Sequence, residues 1–271
     1  MIPAQFDYVR PSSLAEAVEA LEGGGDDAKV IAGGQSLLPL LRLRLAFPSL
    51  LVDIGRLGEL AGVRDAGDAL VIGAMTTMYS LIRDPLIREH CGLIAEAAAT
   101  VADPAIRHRA TIGGSLSHAD PAGDLPAVIC ALDATLVATG PAGEREIGPA
   151  DFFVDYLTTA LDPGEILTAI RVPKLGPGWG FRYEKFQPTV QAWAIVGVAA
   201  LARRADGHVA EARIGLTNMG TVPAREALAA AAANADEGTD PPDDLRAASD
   251  YRRHLARVLT GRALAGAAGV G

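Results

Sequence analysis

Apolar runs along this chain are short, and glycine repeatedly cuts them. The segment LAEAVEAL, from Ser13 to Leu21, predicts a helix with Ser12 or Ser13 as N-cap and Gly23-Gly24-Gly25 as its stop. A short strand follows over Lys29 to Ala32 and is broken by Gly33-Gly34. Ser36 to Leu45 is helical or turn-like, and Leu50 to Ile54 is another short strand. This β-turn-(α)-β order is a usual layout for holding phosphate near backbone N–H groups.

Further on, Leu70 to Ala74 predicts a strand, and the Ala-rich run Leu93 to Val101 a helix. Ala110 to Ser115 is a second strand-to-glycine break. Ala127 to Leu132 continues as a helix, Thr135 to Ala138 as a strand, and Ile166 to Val172 as a strand closed by Pro173. Gly and Pro crowd Leu175 to Gly180, which marks a linker. Beyond it Phe181–Phe186, Ala192–Ala202 and Val209–Leu216 predict a three-stranded antiparallel sheet. From Ala224 onward the Ala-rich segments predict helices, the last over Tyr251 to Leu264, with an acidic, Pro-rich loop over Asn234 to Asp244. No repeat of fixed period occurs, although the two Gly-Gly breaks resemble one another.

Composition narrows the choices. Of 271 residues, 49% are hydrophobic but only 5% aromatic, so the core is built from Ala, Leu, Val and Ile. A formal net charge of -9 argues against a nucleic-acid binder, which needs a basic face. The two cysteines, Cys91 and Cys130, lie far apart in apolar surroundings and cannot hold a four-thiolate cluster, so they read as buried thiols in a reducing compartment. No charged segment leads into an apolar run at the start of the chain, and no uncharged stretch of about 18 residues could span a bilayer. The expectation is a cytoplasmic protein.

Three segments could carry chemistry. In VIAGGQSL (Val30, Ile31, Ala32, Gly33, Gly34, Gln35, Ser36, Leu37) two glycines let the backbone approach a pyrophosphate, and Ser36 adds a hydroxyl. Taken alone, the same pattern is an ordinary strand-to-helix turn. TIGGSLSHADPAGDL repeats the design (Thr111, Ile112, Gly113, Gly114, Ser115) and adds His118, Asp120 and Asp124. Two such loops could clamp a diphosphate from opposite sides without a lysine. The Asp124 carboxylate suits sugar or ribityl hydroxyls or a ring N–H rather than phosphate, whereas His118 and Asp120 also fit plain loop capping. In YEKFQPTVQAW, Lys185 offers a cation and Trp193 a flat face for an aromatic ring; a strand with an exposed lysine and a core tryptophan is the alternative. The G-x-G-x-x-G and G-x-x-x-x-G-K-[ST] fingerprints are absent, and no H-E-x-x-H or Cys/His cluster suggests a metal.

These pieces occur in the order of a known family. The segments FDYVRPSSLAEAV, AGGQSLLPLLRLRLAFPSLLVDI, IGAMTT, ADPAIRHRATIGGSLSHADPAGDLPA, GEILTAIRVP, YEKF, AIVGVAA and GLTNMG resemble the FAD-binding medium subunits of molybdenum hydroxylases, within the vanillyl-alcohol-oxidase-like (PCMH-type) flavoproteins. GLTNMG is particularly like carbon monoxide dehydrogenase medium subunits. The resemblance implies an α+β fold. Residues 1–175 would form a PCMH-type FAD-binding domain, with α/β subdomains of about 1–55 and 56–175, and 176–271 a C-terminal three-stranded antiparallel sheet with a helical bundle. It implies that Val30–Leu37 and Thr111–Ser115 are the diphosphate loops. Val101, Asp124, Leu167 and Lys185 fall where relatives contact FAD, and Trp193 where carbon monoxide dehydrogenase relatives place a Tyr beside the isoalloxazine. Asp120 joins the second loop. Gln35 stands for a His of some relatives, Ser115 for a frequent Asn, and Gln187-Pro188-Thr189 for a basic run.

The implied role is electron transfer, with no residue acting as acid or base toward the organic substrate. A large subunit would hold the molybdenum cofactor, and a small subunit two [2Fe–2S] clusters. The whole would be a dimer of heterotrimers, placed in the cytoplasm or peripherally at the inner membrane face through the complex. A stand-alone FAD oxidase and a non-enzymatic flavin module are the rivals; the oxidase needs a substrate domain for which the C-terminal region is short. An Ala-rich face at 224–233 and 255–268 would serve docking or self-assembly.

Overall fold

A computed structural model of the chain describes residues 2–206, 208–227 and 231–269. Its first sheet is parallel, in the order β1 (Asp7–Val9), β3 (Leu50–Asp53), β2 (Ala28–Ile31). Helix α1 (Leu14–Gly24) crosses between β1 and β2 and buries Ala17, Val18 and Leu21. Ser13 caps it, accepting the Glu16 N–H at 3.2 Å, while Glu16 reaches back to the Ser12 N–H at 2.8 Å. Two donors at the helix start are thereby satisfied reciprocally. Helix α2 (Leu37–Leu43) follows β2.

The second sheet is antiparallel, in the order β4 (Val63–Asp65), β5 (Ala69–Gly73), β10 (Ile166–Pro173), β6 (Thr135–Gly140), β7 (Gly143–Ile147). A two-stranded ribbon, β8 (Phe153–Asp155) and β9 (Thr158–Thr159), lies beyond it. Between β5 and β6 the chain runs through α3 (Met78–Arg83), α4 (Pro85–His90), α5 (Gly92–Thr100), α6 (Pro104–Arg107), α7 (Ile112–His118) and α8 (Asp124–Leu132); α9 (Pro149–Phe152) follows β7. Every residue of α8 is buried. Its sequence DLPAVICAL offers one charge and no polar face, so it can only be a central helix.

The third sheet, β11 (Trp179–Phe186), β12 (Val196–Ala205), β13 (His208–Thr217) and β14 (Ala224–Ala227), is antiparallel throughout. One face shares a core with the second sheet, α5 and α8, which includes Tyr183, Ala199 and Leu201. The other face, with Val196, Val198 and Ala200, packs on α11 (Ser249–Ala267). This double coverage is why VGVAALA in β12 is apolar without alternation. The chain is thus α+β, with N-terminal α/β regions and the expected antiparallel sheet and helices at its C-terminal end.

Several local expectations change. Ala110–Ser115 is not a strand leading to a glycine break. Thr111 caps α7, accepting the Gly114 N–H at 3.1 Å, and only a single bridge pairs Thr77 with Thr111. Ile112 and Leu116, four apart, are both buried, which favours the helix. The strand expected from Ala192 begins at Val196; Pro188 and the residues after it form a loop. Ala224–Ala227 is the edge strand β14 rather than helix, its backbone satisfied by β13. Residues 228–230 of the expected Ala-rich face lie outside the described residues, and α10 (Ala231–Asn234) is one turn. Among the described residues no helix is long and apolar enough to cross a membrane.

Candidate functional site

A cleft of about 500 Å3 opens where the first sheet, the second sheet and the β11–β12 loop meet. Its wall includes Val30, Ala32, Gly33, Gly34, Gln35, Ser36 and Leu37 from the first glycine segment, and Thr111, Gly113, Gly114 and Ser115 from the second. Val101, Asp120, Asp124, Leu167, Lys185 and Trp193 complete the set expected from sequence. Two expected residues are not on the wall. Ile31 is spent on pairing with Asp53 of β3, and Ile112 is fully buried in the core beneath α7.

The two glycine segments are unlike in what they offer. Gly34 has φ +74, a conformation open to glycine, and the Gln35 side-chain amide donates to the Gly33 carbonyl at 2.9 Å, curling the loop. Among the described residues, the N–H groups of Gly33, Gly34, Gln35 and Ser36 donate to no protein acceptor. They form a run of free donors at the wall. In the second segment the donors from Ile112 to Ser115 are already used. Ile112 N–H donates to the Thr76 carbonyl at 3.0 Å, Gly113 N–H to Ala74 at 2.8 Å, and Ser115 N–H to Thr111 at 3.0 Å. This segment contributes the Ser115 hydroxyl and a rigid surface, so the two loops are not equivalent jaws. An ideal Cβ on Gly33 would stand 2.1 Å from the Arg109 carbonyl oxygen. That glycine therefore lets the first loop close onto the segment leading into the second.

At the inner end, Lys185 of β11 donates to Asp124 Oδ2 at 2.8 Å and to the Thr100 carbonyl at 3.3 Å. The Tyr183 hydroxyl donates to Asp124 Oδ1 at 2.6 Å. Both side chains of the ion pair are only 4% exposed. Burial pushes the Asp124 carboxyl up from its ordinary value, while Lys185 and the Tyr183 hydroxyl pull it back. Burial and the neighbouring carboxylate hold the Tyr183 phenol well above its usual range. Asp124 and Lys185, drawn from distant segments, thus form one neutral, hydrogen-bonded pair.

Trp193 is 41% exposed, so it is not a core anchor. Its ring centroid lies 6.5 Å from that of His118, whose Nε2 is 4.0 Å from Asp120 Oδ2. Trp193 and Asp120 also line a second, polar cleft of about 500 Å3 with Tyr156, Asn218, Asp240 and Arg246. Other wall residues went unread in the sequence: Met75, Met78, Ala102, Ile106, Leu161 and Glu165. Most are apolar residues from separate elements, with no local pattern to flag them. Ala102 and Ile106 did carry a signal. The run ADPAIR puts an N-cap Asp103 before Pro104, and Arg107 donates to the Val101 and Ala102 carbonyls at 2.8 and 2.9 Å.

Comparison with known proteins fits this geometry. Residues 4–175 match the family described as FAD binding domain in molybdopterin dehydrogenase, and residues 220–267 the CO dehydrogenase flavoprotein C-terminal domain. The carbon monoxide dehydrogenase medium chain of Hydrogenophaga pseudoflava is 40% identical over 97% of both chains. This chain belongs to the FAD-binding medium subunits of molybdenum hydroxylases. Subunit alpha of the 6-hydroxypseudooxynicotine dehydrogenase complex of Paenarthrobacter nicotinovorans is 39% identical, over 98% of this chain and 95% of that one. The structure of carbon monoxide dehydrogenase from Hydrogenophaga pseudoflava lacking the Mo-pyranopterin moiety superimposes with a TM-score of 0.95, at 40% identity over 98% of both chains.

The medium subunit is a flavoprotein component of an oxidoreductase and binds FAD. The residues present fit that cofactor. A cleft of this size suits a large ligand, the free N–H run suits a diphosphate, and the mostly apolar walls suit a flat ring.

Proposed function

We propose that this chain is the electron-relaying medium subunit of a carbon monoxide dehydrogenase-like molybdenum hydroxylase. The observation that carries the reading is one cleft combining four backbone N–H groups, unclaimed among the described residues, with a buried Asp124–Lys185 pair. In it the Gly33–Ser36 N–H groups and the Ser115 hydroxyl would hold the diphosphate. Val30, Ile31, Ala32 and Leu37 fix the first loop, and Thr111, Ile112, Gly113 and Gly114 the second. Val101 and Leu167 would flank the isoalloxazine, Asp124 and Lys185 would bind its polar edge, and Trp193 would cover one face, with Asp120 at the mouth. Bound FAD supplies the redox chemistry, and the chain's part is to bind, orient and shield the ring.

Residues 1–175, with parts at about 1–55 and 56–175, would be the FAD-holding unit, and 176–271 the C-terminal unit. Electrons would arrive from the [2Fe–2S] clusters of a small subunit, supplied by a large molybdenum-cofactor subunit in a dimer of heterotrimers, and leave to an external acceptor. A cytoplasmic complex, free or peripheral to the inner membrane face, fits this role. The test is to purify the chain with whatever co-purifies and measure FAD, iron, molybdenum and the visible spectrum. The expected result is flavin plus iron–sulfur absorbance in a large complex, with one FAD per medium chain. A flavin-loaded monomer that turns over a substrate unaided would overturn the reading.

A further inference from the structure

Just beyond β13, Asn218 bonds to segments on both sides of the cleft mouth. Asn218 has φ +62, in the left-handed region that asparagine tolerates better than other residues with a side chain. Its N–H donates to the Pro121 carbonyl at 2.7 Å, in the turn that carries Asp120 and Gly123. Its side-chain amide donates to the Ala194 carbonyl at 2.9 Å and the Ile195 carbonyl at 3.3 Å, the two residues after Trp193. The preceding Thr217, fully buried, donates its hydroxyl to the Gly123 carbonyl at 3.2 Å.

We propose that Asn218 is a positioning residue that braces the Trp193 loop against the Asp120–Gly123 turn and so sets where the indole stands over the flavin cleft. The left-handed backbone is what turns the side chain toward Ala194 while the N–H points to Pro121. Both contacts are needed for Asn218 to act as a brace, since only together do they tie the loop to the turn. Arg252 of α11 also holds the Trp193 loop, through the Ile195 carbonyl at 2.6 Å, but the described contacts give Ala194 no other side-chain donor. Because Trp193 and Asp120 line both clefts, the same brace fixes the partition between them.

The chemistry of the amide separates this role from a generic one. Asn218→Gly keeps the left-handed backbone and the N–H to Pro121 but deletes the donors to the loop. Asn218→Asp keeps size and backbone tolerance but turns a carboxylate toward two carbonyl oxygens. The proposal rests on the reading that Trp193 faces the flavin, and the experiment has one arm that does not. Of the two tryptophans, Trp179 is changed to Phe, so that Trp193 alone reports. In the FAD-free full chain, acrylamide quenching of Trp193 emission is compared for Asn218, Asn218→Gly and Asn218→Asp. The expected result is greater quenching in both variants. In the FAD-loaded complex, both variants should lose most of the flavin-fluorescence quenching that Trp193→Phe removes, and should add little to it in the double variant. Unchanged acrylamide quenching, even with a lowered Tm, overturns the brace and leaves Asn218 an ordinary structural residue. If Trp193→Phe leaves flavin emission unchanged, the placement of Trp193 beside the ring falls instead, and the acrylamide arm alone decides on Asn218.

Discussion

Replacing Gly33 by alanine puts one methyl group into a space that the chain has closed. The new Cβ would stand 2.1 Å from the Arg109 carbonyl oxygen and 2.8 Å from its carbonyl carbon, where ordinary contact begins at 3.4 Å. The obstacle is backbone, and it is pinned on both sides. Arg109 N–H donates to the Ile106 carbonyl at 2.9 Å, and the Ala110 carbonyl accepts from Met78 at 2.9 Å. Relief therefore requires the 33–36 loop to withdraw by about 1 Å, at the roughly 1–3 kcal/mol typical of forced overpacking. The same withdrawal displaces the free N–H run. If that cost falls on the FAD-bound state, affinity drops by about five- to a hundredfold at 1.4 kcal/mol per decade. Gly114→Ala is the control, since its Cβ crowds the Thr111 hydroxyl, at 2.8 Å, and meets the Ala32 Cβ at an ordinary 3.8 Å. A side chain can rotate away, at the expense of about 1 kcal/mol of helix capping. The assay is FAD titration into flavin-free protein beside thermal unfolding of the same samples. Gly33→Ala should be the worse of the two in FAD affinity. Wild-type FAD affinity and Tm in Gly33→Ala would refute the reasoning.

Two other perturbations test the inner end and the mouth of the cleft. Lys185→Met leaves the Asp124 carboxylate buried without its counter-charge and should destabilise the protein by about 3–5 kcal/mol near neutral pH. Because burial already raises the Asp124 pKa, losing Lys185 raises it further. The deficit should be small below the unfolded carboxylate value of about 4 and grow as pH rises through the raised folded value; equal deficits by urea unfolding at acid and neutral pH would count against it. Trp193→Phe should brighten bound flavin while changing stability by no more than about 0.5 kcal/mol, as for a surface site. A loss of about 1–3 kcal/mol with unaltered flavin emission would return Trp193 to the core.

What the sequence disclosed follows the range of the interactions involved. The α1 cap, the first loop and the interior β12 strand are local matters of capping, glycine and apolar runs, and all were legible. The helical state of α7 is hidden in TIGGS because its two glycines are poor helix formers and mask Thr111 as a cap. The strand β14 was missed because an Ala-rich segment states no preference that outweighs pairing with an open sheet edge. Asn218 could not be read as a brace from GLTNMG, since its partners lie 24 and 97 positions away, at Ala194 and Pro121. Asp124 and Lys185 were each picked out, but nothing local says that they pair.

That pairing bears on how the chain is divided. A composition break falls at residues 175–180; one family match ends at residue 175 and the next begins at residue 220. The energetics do not break there. Asp124 stands at the start of α8, a helix buried along its whole length, and a lone carboxylate in such a place is costly. Its two side-chain partners, Tyr183 and Lys185, both come from β11, beyond the break. The face of α8 away from the second sheet packs on β12 and β13, and Tyr183, Ala199 and Leu201 belong to the same core as Leu125 and Val128. The N-terminal region therefore cannot complete its own core or neutralise its own buried charge. The third sheet that satisfies α8 also carries Lys185, and Asn218 just after β13 anchors the Trp193 loop at the cleft. The C-terminal region thus supplies part of the cleft wall, and the Asp124–Lys185 pair ties it to the N-terminal region.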